Sequence, residues 1–123
     1  MKLICYLLLI ILVSCQFKRS RTVGPDHTLL GFINDTSRYA DGCELYIEQE
    51  RDSLSVQAIQ YKPSAGSLYT VKRAQRSIAP GQLNPDRIPV NVLYRETRKQ
   101  VKIHCGWGSP TVPEIDILEI TKR

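Results

Sequence analysis

The chain has 123 residues, enough for one domain with a modest core, and carries 17 Lys and Arg against 12 Asp and Glu. Four of the bases, Lys2, Lys18, Arg19 and Arg21, precede Thr22, which leaves 13 bases against 12 acids in a nearly neutral remainder. A nucleic-acid binder carries its excess positive charge on the folded domain, so this balance argues against nucleic acid as a partner.

The first element is an address. Met1-Lys2 is followed by an apolar run, Leu3 to Val13, of 11 residues that includes Cys5 and Tyr6. A spanning helix needs about 20 apolar residues, so the run suits the apolar part of a secretory signal instead. Leu12-Val13-Ser14-Cys15 resembles the lipobox of bacterial lipoproteins. The resemblance implies cleavage before Cys15 and acylation of Cys15, which then holds the chain on a membrane with its acyl (palmitate-type) chains. Segments follow from it: a signal peptide at 1–14, the acylated cysteine with a basic tether at 15–26, and a domain at 27–123. The alternative is an ordinary cleaved signal with a chance cysteine. A eukaryotic secreted chain would make Asn34-Asp35-Thr36 a glycosylation sequon, whereas in a bacterium the triplet reads as a turn.

Within the domain, period two recurs and no long helical period appears. A first strand is expected near 28–34, with Leu30 and Phe32, and with Leu29 and Ile33 as secondary members. Cys43, Leu45 and Ile47 alternate with Glu44, Tyr46 and Glu48 in the cleanest half-buried strand. Leu54, Val56 and Ala58 alternate next, and the phase then slips to Ile59 and Tyr61, which suggests a bulge. Residues 62–67 read as a loop, 68–72 as a short strand, and the proline-containing stretch 77–89 as mostly irregular. Ile88 to Tyr94 and Val101 to Cys105 alternate on either side of Glu96-Thr97-Arg98-Lys99, which predicts a hairpin. Ile115, Ile117, Leu118 and Ile120 make a last strand that is apolar on both faces and therefore central. The expected fold is all-β: a small, partly open, OB-like β-barrel of about six strands with one disulfide.

That disulfide is Cys43 with Cys105, the two cysteines left once Cys5 and Cys15 go to the signal and the anchor. An exported domain sits outside the reducing cytosol, where paired thiols oxidise. Two free thiols, or a metal site that adds His104, are the alternatives; a closed zinc site wants four ligands. Charge is also segregated. Residues 34–52 hold six acids against Arg38 and Arg51, and residues 68–105 hold eight bases against Asp86 and Glu96. Pairing across neighbouring strands is the simplest consequence, and a basic face for an acidic partner is the sharper one.

With these residues in view, the stretch "GFINDTSRYADGCELYIE" (31–48), "VNVLYRETRKQVKIHC" (90–105) and "EIDILEI" (114–120) resemble segments of small Gram-negative lipoproteins of unknown function. The resemblance implies a compact β-barrel with a cysteine pair and no assigned activity. The long middle, 62–89, departs from it. Some such bacteria place acidic residues after the acylated cysteine of lipoproteins bound for the cell surface. Here Gln16-Phe17-Lys18-Arg19 is basic, so the expected location is the periplasmic side of the cell outer membrane.

No catalytic constellation emerges. His27 and His104 are the only histidines, and Gly106-Trp107-Gly108-Ser109 misses the Gly-x-Ser-x-Gly elbow by one place. Asp35 and Asp41 lack calcium-loop spacing, and Glu44 with Glu48 reads as a solvent-facing pair before it reads as a glycosidase pair. The expectation is a protein that is not an enzyme and has no cofactor. Trp107, between two glycines, is a candidate ligand contact together with Tyr46 and Tyr94; the competing reading folds Trp107 back over the disulfide. The expected role is a non-catalytic binding module for a protein or glycan of the envelope. An inhibitor of a lytic enzyme or protease, with 106–110 as the plugging loop, is second, and an enzyme of unknown class is third.

Overall fold

The structure, a computed structural model, describes residues 24–54, 57–82 and 86–123. The expected signal segment, Cys15 and the tether as far as Val23 lie outside the described residues, as do Val56 and Pro85. Five strands and one helix follow in order: β1 (His27–Asn34), β2 (Tyr46–Gln49), β3 (Gln60–Pro63), α1 (Leu68–Ile78), β4 (Ile88–Lys102) and β5 (Thr111–Lys122). A 3-10 turn, Ala65–Ser67, leads into α1.

The strands hydrogen-bond in a ring, β1–β2–β3–β5–β4 and back to β1. Every pairing is antiparallel except β3 with β5. This is the mostly-β, OB-like arrangement that the alternation predicts, with the one disulfide that the cysteine count predicts, and it has five strands among the described residues where about six were expected. Of the strand expected at 54–58, the described residues Leu54, Gln57 and Ala58 lie outside any strand, β3 begins at Gln60, and Leu54 stands 90% exposed. β5 pairs with β3 and β4, but in a closed ring every strand has two neighbours, so the expected central place does not set β5 apart; Ile115 and Ile117 are buried, while Leu118 on its other face is 40% exposed.

Ile33, Ile47, Val90 and Ile115 are wholly buried inside the ring. α1 adds Val71 to this core, with Ala74 and Ile78 beside it, and packs mainly against β5. At 68–72 the expectation of a strand fails. Val71, Ala74, Gln75 and Ile78 follow helical spacing, but the inward Gln75 breaks the apolar stripe that would have announced it. The same helix takes in the first residues of the stretch expected to be irregular.

β1 has the opposite phase to the one expected. Leu29, Gly31 and Ile33 face in, while Leu30 is half exposed. Gly31 is the cause: a Cβ there would stand 2.3 Å from the Glu48 carbonyl oxygen, so only glycine lets β2 pair this closely. Phe32, turned outward, is covered by the Arg87 guanidinium, 3.9 Å from its ring centre.

The expected hairpin across 96–99 is also corrected. Ile88–Tyr94 and Val101–Lys102 belong to one strand, β4, whose hairpin partner is β5. The register passes from Glu96↔Ile115 to Gln100↔Pro113, so β4 carries two extra residues there, with Arg98 in the left-handed region at φ 63°. A polar bulge and a polar turn have the same composition, and only pairing tells them apart. Truncating Ile115 to alanine, at the centre of this packing, should cost about 2–5 kcal/mol in urea unfolding.

Candidate functional site

The β1–β2 loop (35–45) and the β4–β5 loop (103–110) are joined by the Cys43–Cys105 disulfide, which spans 62 positions of sequence. The two backbones pair here as a short antiparallel seam. Glu44 N–H donates to the His104 carbonyl (3.0 Å), and Gly106 N–H donates to the Gly42 carbonyl (2.9 Å). Cys43 and Cys105 therefore occupy a non-hydrogen-bonded pair, where facing side chains come closest. Two glycines make the packing possible, Gly42 within its own loop and Gly106 between the loops. A Cβ on Gly42 would lie 1.6 Å from the Thr36 carbonyl oxygen, and one on Gly106 would lie 1.8 Å from that of Ala40.

Each loop is also tied internally. Thr36 and Cys43 exchange two bonds, Thr36 N–H to the Cys43 carbonyl and Cys43 N–H to the Thr36 hydroxyl. In the other loop, Cys105 and Gly108 close a tight turn through Cys105 N–H to the Gly108 carbonyl at 2.8 Å. Trp107 sits at the tip of that turn and is 67% exposed. It does not fold back over the disulfide. Tyr39, from the facing loop, is 52% exposed and carries the Arg38 guanidinium 4.7 Å from its ring centre.

The other expected contacts lie elsewhere. Tyr46 is half-buried on β2, and burial pushes its hydroxyl pKa up. Tyr94 is 7% exposed, between the rings of His27 and Tyr61, and belongs to the core rather than to this surface. Burial, with the Tyr94 hydrogen bond, drives the neighbouring Tyr61 hydroxyl up to about 12. His104 is exposed, with Nδ1 3.3 Å from the Ser109 hydroxyl. Cys43 and Cys105 are bonded to each other, so neither offers a thiolate to a metal.

Behind the seam is an open hollow of about 520 Å³. On its helix side, Lys72 Nζ donates to Asp35 Oδ2 (2.8 Å), while Asp35 Oδ1 accepts the Ser37 hydroxyl (2.7 Å). On its strand side, Glu44 Oε1 accepts Lys62 Nζ (2.6 Å) and the His104 N–H (2.9 Å), and Lys62 also donates to the Lys102 carbonyl. Burial alone would raise both carboxyls. The lysine in each case, with Ser37 at Asp35 and the His104 N–H at Glu44, outweighs it and holds both below the usual carboxylate range.

The residues of this hollow were not legible as a set, because they come from a loop, three strands and a helix with its leading turn. The signal present was the charge segregation. Asp35–Lys72 and Glu48–Arg87 pair the acidic segment with the basic one, and Arg38–Asp86 does the reverse. No protein-family model, no curated protein and no solved structure matches the chain.

Two measurements check this construction. Replacing Cys43 or Cys105 with serine should each cost up to about 4 kcal/mol, and the double replacement no more than either single one. Asp35 is 2% exposed, and a carboxylate whose pKa is lowered by folding adds stability above its unfolded value, near 3.8. That contribution disappears as pH falls through the lowered value, so the acid limb of urea unfolding below pH 3.8 should flatten in Asp35→Asn.

Proposed function

We propose that this chain is a lipid-anchored protein of the bacterial cell envelope and acts as a non-catalytic binding module through the edge formed by its two bonded loops. The observation that carries the reading is Trp107, exposed at the tip of a turn whose stems are fixed by the disulfide and by backbone hydrogen bonds. A large aromatic ring held rigidly in water loses little conformational entropy on binding and makes a strong anchor. In OB-like barrels the loops after the first and fourth strands frame ligand surfaces, an analogy of fold alone. The near-neutral domain favours a protein or glycan over nucleic acid.

The anchor rests on the sequence around Cys15 and on the energetics of acylation. Several acyl chains, at about 0.8 kcal/mol per buried CH₂, hold a protein on a bilayer without a spanning helix. Among the described residues no helix is long and apolar enough to cross a membrane. The basic residues after Cys15 favour the periplasmic side of the outer membrane. A protruding, pre-formed loop also suits the second reading, an inhibitor that inserts 106–110 into the active site of a lytic enzyme or protease.

Cross-linking on intact cells, with identification of whatever co-purifies, tests the module. Trp107→Ala should keep the wild-type unfolding midpoint and weaken partner capture by about 2 kcal/mol or more, roughly 30-fold. Unchanged capture would remove Trp107 from the interface, and a hydrolase as the captured partner would select the inhibitor reading. Cys15→Ala should move the protein from the membrane fraction to the soluble one; retention on membranes would refute the anchor.

A further inference from the structure

The hollow behind the seam has a built-in charge separation. On the helix side the Lys72 side chain is 46% exposed, while its counter-ion Asp35 is 2% exposed. What that side offers a ligand is an ammonium with two N–H donors still unused. On the strand side the balance is reversed. Lys62 is bonded to Glu44, and a second carboxylate, Glu114, lies opposite it in the β3–β5 register and also lines the hollow. Lys62 spends two of its three donors on Glu44 and on the Lys102 carbonyl. That side therefore presents net negative charge, with Glu114 and the second oxygen of Glu44 as acceptors.

Much of the remaining lining is apolar. Leu45 and Val101 contribute to it, and Leu68 remains 41% exposed although it belongs to the first turn of α1. These walls are fixed before any ligand arrives. The disulfide and the His104 N–H hold Glu44, and the Ser67 hydroxyl accepts Ile117 N–H at 2.7 Å, which ties the start of α1 to β5. About 520 Å³ is within the range of small-molecule sites.

We infer that this hollow binds a small zwitterion with an apolar side chain, a free amino acid or the equivalent, its carboxylate on Lys72, its ammonium on Glu114 and Glu44, and its side chain on Leu68 and Val101. A lone anion meets three carboxylates in the same space, and a lone cation leaves Lys72 with its spare donors unused. Only a ligand carrying both charges satisfies both sides. The site is separate from Trp107, so it stands whether or not that residue contacts a partner.

The test is a titration of the purified full chain, kept in detergent, followed by backbone amide shifts. The probes are leucine, 4-methylpentanoate (the acid without the amine) and 3-methylbutylamine (the amine without the acid). Leucine should saturate near or below about 1 mM and shift the amides of Lys62, Lys72, Val101 and Glu114, with each single-charge analogue at least about tenfold weaker. Glu114→Gln leaves the Asp35–Lys72 pair intact and should weaken leucine about tenfold while leaving 4-methylpentanoate no weaker than on the wild type. Lys72→Met is avoided, because it strands the buried Asp35 carboxylate. No saturable shift at the hollow, an analogue that binds as tightly as leucine, or a Glu114→Gln protein with the wild-type preference would each overturn the assignment. Trp107→Ala should leave leucine binding unchanged, which separates this outcome from that of the loop-edge reading.

Discussion

The bond between Cys43 and Cys105 sets the geometry of both surfaces. It joins two loops that have no covalent reason to meet, at the one register position where the paired backbones bring facing side chains closest. A domain of this size buries a modest core, so a cross-link that closes a long loop is a large part of its margin. Stability is half of its effect. The seam also fixes the turn that carries Trp107, and it fixes Glu44 against His104 and Lys62. An exposed aromatic tip and a pre-formed charged hollow are therefore products of one local constraint.

Charge plays a different part. The ion pairs at the hollow do not stabilise the fold by number, since exposed pairs contribute little. Asp35 matters because it is buried: with Lys72 in place its cost is offset, and without Lys72 a desolvated carboxylate would be left with only Ser37, a loss of about 1–3 kcal/mol. The pair thereby fastens the β1–β2 loop to α1, and the sequence-distant acidic and basic segments find each other in the process.

The parts legible in the amino-acid sequence were those with a repeating local signature. Cys43, Leu45 and Ile47 alternate, and Leu45 and Ile47 are buried as that alternation requires. Ile115 and Ile117 alternate in the last strand, and both are buried. Three of the misreadings each turn on a single residue. Gln75 hid a helix because it is a polar side chain facing inward. Gly31 inverted the phase of β1 because a β2 carbonyl needs its missing Cβ. Arg98 looked like a turn because a bulge has the same residues and differs only in what lies opposite. The hollow was illegible because it is assembled from Asp35, Glu44, Lys62, Lys72 and Glu114 on four different elements.

The closure of the ring by β1 against β4 has a kinetic side. Leu29 lies opposite Val92, roughly 60 residues further on, and β3 waits for β5 as its parallel neighbour. Loop-closure entropy must be met before these contacts return anything, so folding is slow for a chain of this length and dominated by its non-local contacts. β1, the first of the described strands, keeps one edge unpaired until β4 has been made. Such a chain does not complete its fold from the amino end; it stays extensible until its last strands are available, and then its two halves commit together.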